Sequence, residues 1–403
     1  MSGLLLSFYG DDFTGSTDAM ESLACGGVRT VLFTEPPTPA QLAKYDGLRA
    51  FGVAGMTRSM PPDEMERTLR PALTAMKACG APIVHYKVCS TFDSSPTIGS
   101  IGRAIDVGAD IFGGDVGGRR VVPVVVGAPS LERYCVFGNL FVRNAGDAQP
   151  IRIDRHPSMS RHPTTPMDEA DLRLHLSKQT GKNIGLIDVV QLSRDPRSLA
   201  DACADVMIID LLDDGQLATV GRLISRSPFV VGSSGVESAL IAHWGCEART
   251  FAPVRSAGSI VAVCGSCSPV SAQQVDWALA NGFADASDGV EVATRAIDSG
   301  RSAVIHTRRG RPGAGFGQMV CKVLETSRVR RMLVAGGDTS GEIARALEIE
   351  SLEMIGELTR GSPLCRAAAP GSAADGIEIT FKGGQIGAVD FFGLVRDGSA
   401  QHD

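Results

Sequence analysis

Near its start the chain reads Leu4-Leu5-Leu6-Ser7-Phe8-Tyr9-Gly10-Asp11-Asp12-Phe13-Thr14-Gly15-Ser16-Thr17-Asp18-Ala19-Met20-Glu21-Ser22-Leu23-Ala24. An apolar run of strand length, Leu4 to Tyr9, gives way to a glycine-bounded polar turn over Gly10–Ser16. A helical pattern follows over Thr17–Ala24. Gly26-Gly27 stops that helix, and Thr30 to Phe33 is the next apolar run. Strand, turn, helix and strand within 35 residues predict an α/β fold whose strands run parallel with helical crossovers.

The alternation repeats outward from there. Strands are predicted at Leu48–Val53, Ile83–Val88, Val121–Val126, Asn183–Leu186, Val206–Ile209 and Phe229–Val231. Helical patterns lie near Asp63–Ala78 and Ile98–Val107, and Pro71 is expected to kink or break the first of them. Gly146 to Arg161, rich in Arg, His, Pro and Ser, reads as an irregular excursion. The pattern lapses around 244–258 and restarts at Ser259–Val263, with further strands at Ser302–Thr307, Met332–Ala335 and Ile377–Phe381. The expected organisation is therefore two domains, residues 1–250 and 251–403, each with a largely parallel sheet flanked by helices.

Composition sets outer bounds. The 403 residues are 43% hydrophobic and 21% charged, a globular balance long enough to bury a core without disulfides or metals. With 39 Lys and Arg against 45 Asp and Glu the formal net charge is −6, which argues against bulk nucleic-acid or anionic-membrane binding. No apolar run approaches the roughly 18 residues of a membrane span. The early Asp11-Asp12 is unlike a signal peptide, so a cytoplasmic protein is expected. Ten scattered cysteines suit a reducing compartment. The Cys264-Gly265-Ser266-Cys267 pair has no second pair or nearby His, so zinc is not expected.

In open parallel sheets ligands gather at the carboxyl ends of strands. The first such exit holds Asp11 and Asp12, two adjacent carboxylates suited to a metal, a polyhydroxy ligand or a proton to accept; the alternative is that Asp12 or Thr14 caps the next helix. The second runs from His85 to Pro96, where Lys87 and the hydroxyls of Ser90 and Thr91 leave a strand and meet a helix start, a set suited to an anion; the alternative is that the Ser and Asp residues there are ordinary caps. Arg58 sits at the equivalent edge and can pair with a carboxylate or face solvent. The C-terminal half has three glycine-rich exits: Gly265-Ser266-Cys267-Ser268, Gly336-Gly337-Asp338-Thr339-Ser340-Gly341 and Lys382-Gly383-Gly384-Gln385-Ile386-Gly387. Small residues exposing consecutive N–H groups suit a phosphate chain. No GxxxxGK[ST] is present, and Gly310, Gly313, Gly315 and Gly317 lack the dinucleotide spacing, which predicts a surface loop there. His156 and His162, with Arg152, Arg155 and Arg161, read as a basic patch facing an acid, an exposed loop or a subunit contact.

Tyr9-Gly10-Asp11-Asp12-Phe13-Thr14-Gly15-Ser16-Thr17-Asp18-Ala19 closely resembles the opening motif of the four-carbon acid sugar kinase family. Tyr86-Lys87, Ser90-Thr91 and Gly232-Ser233-Ser234-Gly235 resemble further landmarks of its substrate domain. Gly265 to Pro269 with Gln273, Gly336 to Gly341, and Lys382-Gly383-Gly384 resemble those of its nucleotide domain. The resemblance implies an N-terminal acid-sugar domain, a C-terminal nucleotide domain, an active site in the cleft between them, and a homodimer. It implies transfer of a phosphoryl group from ATP, with Mg2+, to a hydroxyl of a tetronate or 3-oxo-tetronate in carbohydrate-acid catabolism. Asp12 or Asp11 would orient the acceptor hydroxyl and take its proton, and Arg58, Lys87 and Ser90 would hold the acid's carboxylate. Ser266, Ser268, Gly336, Gly337, Asp338, Thr339 and Gly384 would wrap the nucleotide.

Two departures stand out. Where many members continue with an Arg-Gly-Asn-like stretch, this chain reads Phe92-Asp93-Ser94-Ser95-Pro96-Thr97-Ile98-Gly99-Ser100-Ile101-Gly102, which puts a branched or longer acid sugar, such as an oxo-isoapionate, beside the tetronates as an alternative substrate. Asp338 stands where the family usually has Glu. Two rival readings are a non-catalytic sensor of sugar acid and nucleotide with the same fold, and a nucleotide-sugar or NAD-linked oxidoreductase.

Overall fold

A computed structural model of the chain describes residues 3–113, 121–143, 147–194, 199, 203–307 and 315–399. Contacts group the chain into two units. One comprises Met1–Gly15, Gly26–Arg29 and Pro36–Ala248; the other comprises Ser16–Cys25, Thr30–Glu35 and Arg249–Asp403.

The first unit is built on a sheet of parallel strands in the spatial order Ala50–Ala54, Leu6–Gly10, Val84–Lys87, Phe229–Gly232, Val122–Val125, Val206–Ile209 and Ile184–Ile187. All but the last are buried along their whole length, as parallel strands covered on both faces must be. Helix Pro62–Ala78 faces inward with Met65, Leu69, Ala72, Leu73 and Met76, a helical stripe. It is a single helix that contains Pro71 and is not broken there. Helices Leu217–Ile224 and Gly235–Trp244 pack closely, because a Cβ at Gly221 would sit 2.0 Å from the Ala239 carbonyl oxygen.

The excursion read at Gly146–Arg161 holds, among its described residues, the short strand Ile151–Arg152 and the single turns Ile153–Arg155 and Met159–Arg161. Arg133–Val136, Asn139–Val142 and Ile151–Arg152 form a small antiparallel sheet. Its hairpin turns at Phe137 and Gly138, with φ of 51° and 77°. The buried Asp210 carboxylate accepts the Gly138 N–H at 2.9 Å, and it also accepts the N–H groups of Phe137 and Val189. Gly146 lies outside the described residues.

The second unit has parallel strands in the order Ala284–Asp285, Ala303–His306, Val261–Cys264, Arg331–Ala335 and Glu378–Lys382. Antiparallel strands Ser362–Ala368, Ser351–Thr359 and Thr30–Phe33 extend it. Thr30–Phe33 thus pairs with a strand more than 300 residues later in the chain. The hairpin of Ser351–Thr359 and Ser362–Ala368 was not expected from the sequence. Helices cover a core that includes Phe283, Leu333, Phe391, Phe392 and Val395. Of the glycine run, Gly310 and Gly313 lie outside the described residues, Gly315 precedes helix Phe316–Thr326 with φ of 95°, and Gly317 lies in that helix.

Each sheet has a place where successive connections leave in opposite directions. The chain leaves Leu6–Gly10 toward the Ala50–Ala54 side and leaves Val84–Lys87 toward the other. It leaves Val261–Cys264 toward Ala303–His306 and leaves Arg331–Ala335 toward Glu378–Lys382. Loops that part in this way open a crevice beyond the carboxyl ends of the strands.

Candidate functional site

At the crevice of the first unit, Gly10 pairs in register with Ala54 on one side and Lys87 on the other. The Asp11 N–H donates to the Lys87 carbonyl at 2.9 Å, and the Arg58 N–H donates to the Asp11 carbonyl at 3.0 Å. Three strand exits thereby bring Asp11, Asp12, Arg58 and Lys87 together. The Arg58 guanidinium clamps both carboxylates: Nη2 and Nε donate to Asp11 at 2.7 and 3.1 Å, and Nη1 and Nη2 to Asp12 at 3.1 Å each. Beneath it, Thr57 Oγ1 and Tyr86 OH lie 2.8 Å apart, and the Tyr86 ring stacks on Tyr9. Those contacts fix the turn that presents Arg58.

The helix expected from Thr17 begins four residues earlier, at Phe13. Asp12 accepts the Gly15 N–H at 2.8 Å and the Thr14 hydroxyl at 3.0 Å, so it caps that helix as well as facing Arg58. A Cβ at Gly15 would meet Asp12 Oδ1 at 2.4 Å, so any larger residue there would push the Asp12 carboxylate aside. Burial pushes the Asp11 carboxyl above its ordinary range, against the pull of Arg58. Asp12 is the more open of the two, at 22% side-chain exposure against 7% for Asp11.

The stretch that departs from the family pattern lies beside this cluster. Gly99, at φ 59°, packs so closely on Arg58 that a Cβ would sit 2.4 Å from its carbonyl oxygen. Phe92 is fully buried with a left-handed φ of 55°, a strained conformation for an aromatic residue. Asp93 accepts from the Thr91 hydroxyl and from the Thr165 hydroxyl at 3.1 Å, and Thr165 Oγ1 lies 2.9 Å from His162 Nδ1. Burial would raise the Asp93 pKa, but the Arg58 charge and these hydroxyls hold it below the usual carboxylate range. Ser90 is half-buried on the loop after Lys87. The expected basic patch is not one surface: Arg152 pairs with Asp154, and His156 is buried 3.5 Å from Asp147.

In the second unit the three glycine-rich exits converge. The Gly265 N–H donates to the Ala335 carbonyl at 3.1 Å and the Gly336 N–H to the Lys382 carbonyl at 2.9 Å. A Cβ at Gly384 would sit 2.4 Å from Ser266 Oγ, and one at Gly336 would sit 3.2 Å from the Ser266 N. Ser268 caps helix Pro269–Ala280, and Gly336 precedes helix Gly337–Ala346. Gly337, Asp338 and Thr339 are therefore that helix's first turn, not a loop, with Asp338 exposed. Two helix N-termini opening onto glycine and serine make a concentration of N–H donors suited to phosphate.

Sequence reasoning missed residues that brace this region. Gln274, not the exposed Gln273, donates to the carbonyls of Ile386, Gly387 and Ala388 at 3.0, 3.1 and 2.8 Å. Ser271 Oγ donates to the Gly384 carbonyl at 2.8 Å. Neither carries a local signal, since each reaches a loop more than 100 residues away. Among the described residues no cluster of three or more His, Cys, Asp or Glu could hold a metal. No helix among them is long and apolar enough to cross a membrane.

Comparison with known proteins adds the following. Residues 6–240 match a family model described as a sugar-binding N-terminal domain, and residues 301–392 match one described as a nucleotide-binding C-terminal domain. A Paraburkholderia graminis protein named 3-oxo-isoapionate kinase is 42% identical, covering 98% of this chain and 95% of that protein. A Methylobacterium radiotolerans protein named 3-oxo-tetronate kinase is 30% identical, covering 98% and 99%. A crystal structure from Salmonella typhimurium LT2 superposes with a TM-score of 0.79 at 23% identity, covering 97% of this chain and 98% of that one, a likeness of fold.

Proposed function

This chain belongs to the four-carbon acid sugar kinase family, and on that premise we propose that it phosphorylates a branched 3-oxo sugar acid of the 3-oxo-isoapionate type. It is a sugar-acid kinase. The branched substrate is supported by the 42% identity to a relative of that name, and by the stretch Phe92–Gly102 lying against Arg58. The Asp11–Arg58–Asp12 cluster at a strand-exit crevice is the single observation that supports the catalytic assignment most directly.

The division expected at residue 250 is corrected by the chain's early segments: Met1–Gly15, Gly26–Arg29 and Pro36–Ala248 serve as the acid-sugar domain, and Arg249–Asp403 with Ser16–Cys25 and Thr30–Glu35 as the nucleotide domain. The acid's carboxylate is held by Lys87, Ser90 and the Arg58 edge. Asp12, the more exposed carboxylate, orients the acceptor hydroxyl and takes its proton. The hydroxyl oxygen bonds to the γ-phosphorus while the bond from that phosphorus to the β,γ-bridging oxygen breaks, giving ADP and a phosphate monoester. Asp11 stays in place as Arg58's buried partner and keeps the guanidinium aimed. Ser266, Ser268, Gly336, Gly337, Thr339 and Gly384 present N–H and hydroxyl donors to the phosphates. The exposed Asp338 is an oxygen donor that fits Mg2+ arriving on the nucleotide, which prefers one or two carboxylates plus phosphates. When bound, that ion supplies neutralisation of the transferring phosphoryl charge. The protein works as a homodimer in the cytoplasm, and a sedimentation mass of one chain would refute the dimer.

The test is an ADP-release assay with ATP and Mg2+ against branched 3-oxo acids, 3-oxo-tetronates, erythronates and threonates. Preferred turnover of a branched 3-oxo acid is expected. Preference for a straight four-carbon acid would overturn the substrate assignment, and ATP binding without turnover of any acid would favour a sensor.

A further inference from the structure

Lys382 ends the strand Glu378–Lys382 and is fully buried, with a relative exposure of 0%. A lysine so placed normally has a carboxylate beside it. Here its ammonium donates to the neutral Ser271 hydroxyl at 3.1 Å, and no acidic side chain acts on it among the described residues. Ser271 is also fully buried and passes the contact on, donating to the Gly384 carbonyl at 2.8 Å. The Lys382 carbonyl accepts the Gly336 N–H. Lys382 therefore touches the Gly336 exit through its carbonyl, opens the third exit through its chain neighbours Gly383 and Gly384, and meets through its ammonium the helix that follows the Gly265–Ser268 exit.

We propose that Lys382 is a positioning residue whose buried positive charge is left without a counter-ion by the protein so that the polyphosphate of ATP supplies one. This rests on the nucleotide reading of the C-terminal unit. The ammonium acts through Ser271 and the Gly384 loop and by its field, not by touching the nucleoside. It therefore favours a triphosphate over a monophosphate of the same base. The effect is greatest in a site where few other charges compete.

Burial lowers the Lys382 pKa to about 8. The titratable group that acts on it is the Cys264 thiol, from strand Val261–Cys264, while helix Pro269–Ala280 contributes the Ser271 hydroxyl. A bound polyphosphate holds the proton on, so wild-type affinity for ATP, but not for AMP, weakens as pH rises through about 8.

The test compares wild type with Lys382→Met and Lys382→Gln, the second keeping a polar group beside Ser271. Affinities for ATP and AMP are measured by calorimetry at about pH 7 and pH 9, with melting curves of the nucleotide-free proteins. Both variants are expected to lose ATP affinity by about 10- to 100-fold, the worth of a charge-assisted contact, with AMP affinity kept. Lys382→Met is expected to melt no lower than wild type without nucleotide, whereas a merely structural lysine would lower melting and weaken both nucleotides together. ATP-over-AMP preference that survives in either variant, or that is the same at both pH values in wild type, overturns the inference. Wild type that binds no ATP overturns the nucleotide reading itself.

Discussion

Asp12 has two duties: it caps the helix Phe13–Cys25 and faces Arg58. Asparagine keeps the cap nearly as well as aspartate but cannot take a proton. Asp12→Asn is therefore expected to cut kcat by roughly 10²- to 10⁴-fold while shifting melting little. A variant that melts normally and retains full turnover would remove Asp12 from the reaction. Lys382 illustrates the reverse economy. Its pKa of about 8 against an ordinary 10.5 means that at neutral pH the charged form is disfavoured in the fold by about 3 kcal/mol. An apolar residue avoids that cost.

At the scale of elements, helix Pro62–Ala78 runs through Pro71, whose missing N–H leaves one helical bond unmade at an exposed position. Pro71→Ala should stabilise the protein by about 1–2 kcal/mol, partly offset by a freer unfolded chain, as read by denaturant melting. A loss of stability would contradict this account of the helix. In the second unit Gly384 approaches Ser266 closely enough that one added carbon would displace the serine hydroxyl. Gly384→Ala is expected to raise the KM for ATP while leaving the KM for the acid unchanged, and an equal rise in both would point to general misfolding. These elements also show what the sequence could reveal. The strand Val206–Ile209 was legible to the residue, because a short apolar run between turn signals has few other readings. The Asp11, Asp12, Arg58 and Lys87 cluster was legible as strand exits. The hairpin of Ser351–Thr359 and Ser362–Ala368 was not, since Pro363 and the small residues Ala367 and Ala368 give its second strand little of the usual strand signature. Nor was the partner of Thr30–Phe33, because antiparallel pairing across 300 residues leaves no local mark. Asp93, Ser271, Gln274 and Lys382 owe their roles to burial, which only folding assigns.

Across the whole molecule, two buried groups set opposing limits on stability with pH. Burial, with help from Lys178, lowers the His175 pKa from 6.5 to about 4. Its contribution is present above 6.5 and is lost as pH falls through about 4. Burial raises the Glu21 carboxyl from 4.5 to about 8, against the Gly361 N–H that it accepts. That contribution is full below 4.5 and is lost as pH rises through about 8. Glu21→Gln should therefore melt higher than wild type near pH 9 and similarly near pH 5; an equal difference at both would contradict the assignment. The central claim is phosphoryl transfer to a branched 3-oxo sugar acid with Asp12 at the acceptor hydroxyl. The most direct measurement mixes the protein with ATP, Mg2+ and 3-oxo-isoapionate and follows phosphorus by NMR, with Asp12→Asn alongside. A new phosphate monoester formed one-for-one with ADP by wild type, and abolished in the folded variant, is the predicted result. ADP accompanied only by inorganic phosphate, or monoester formed equally by both proteins, would contradict it.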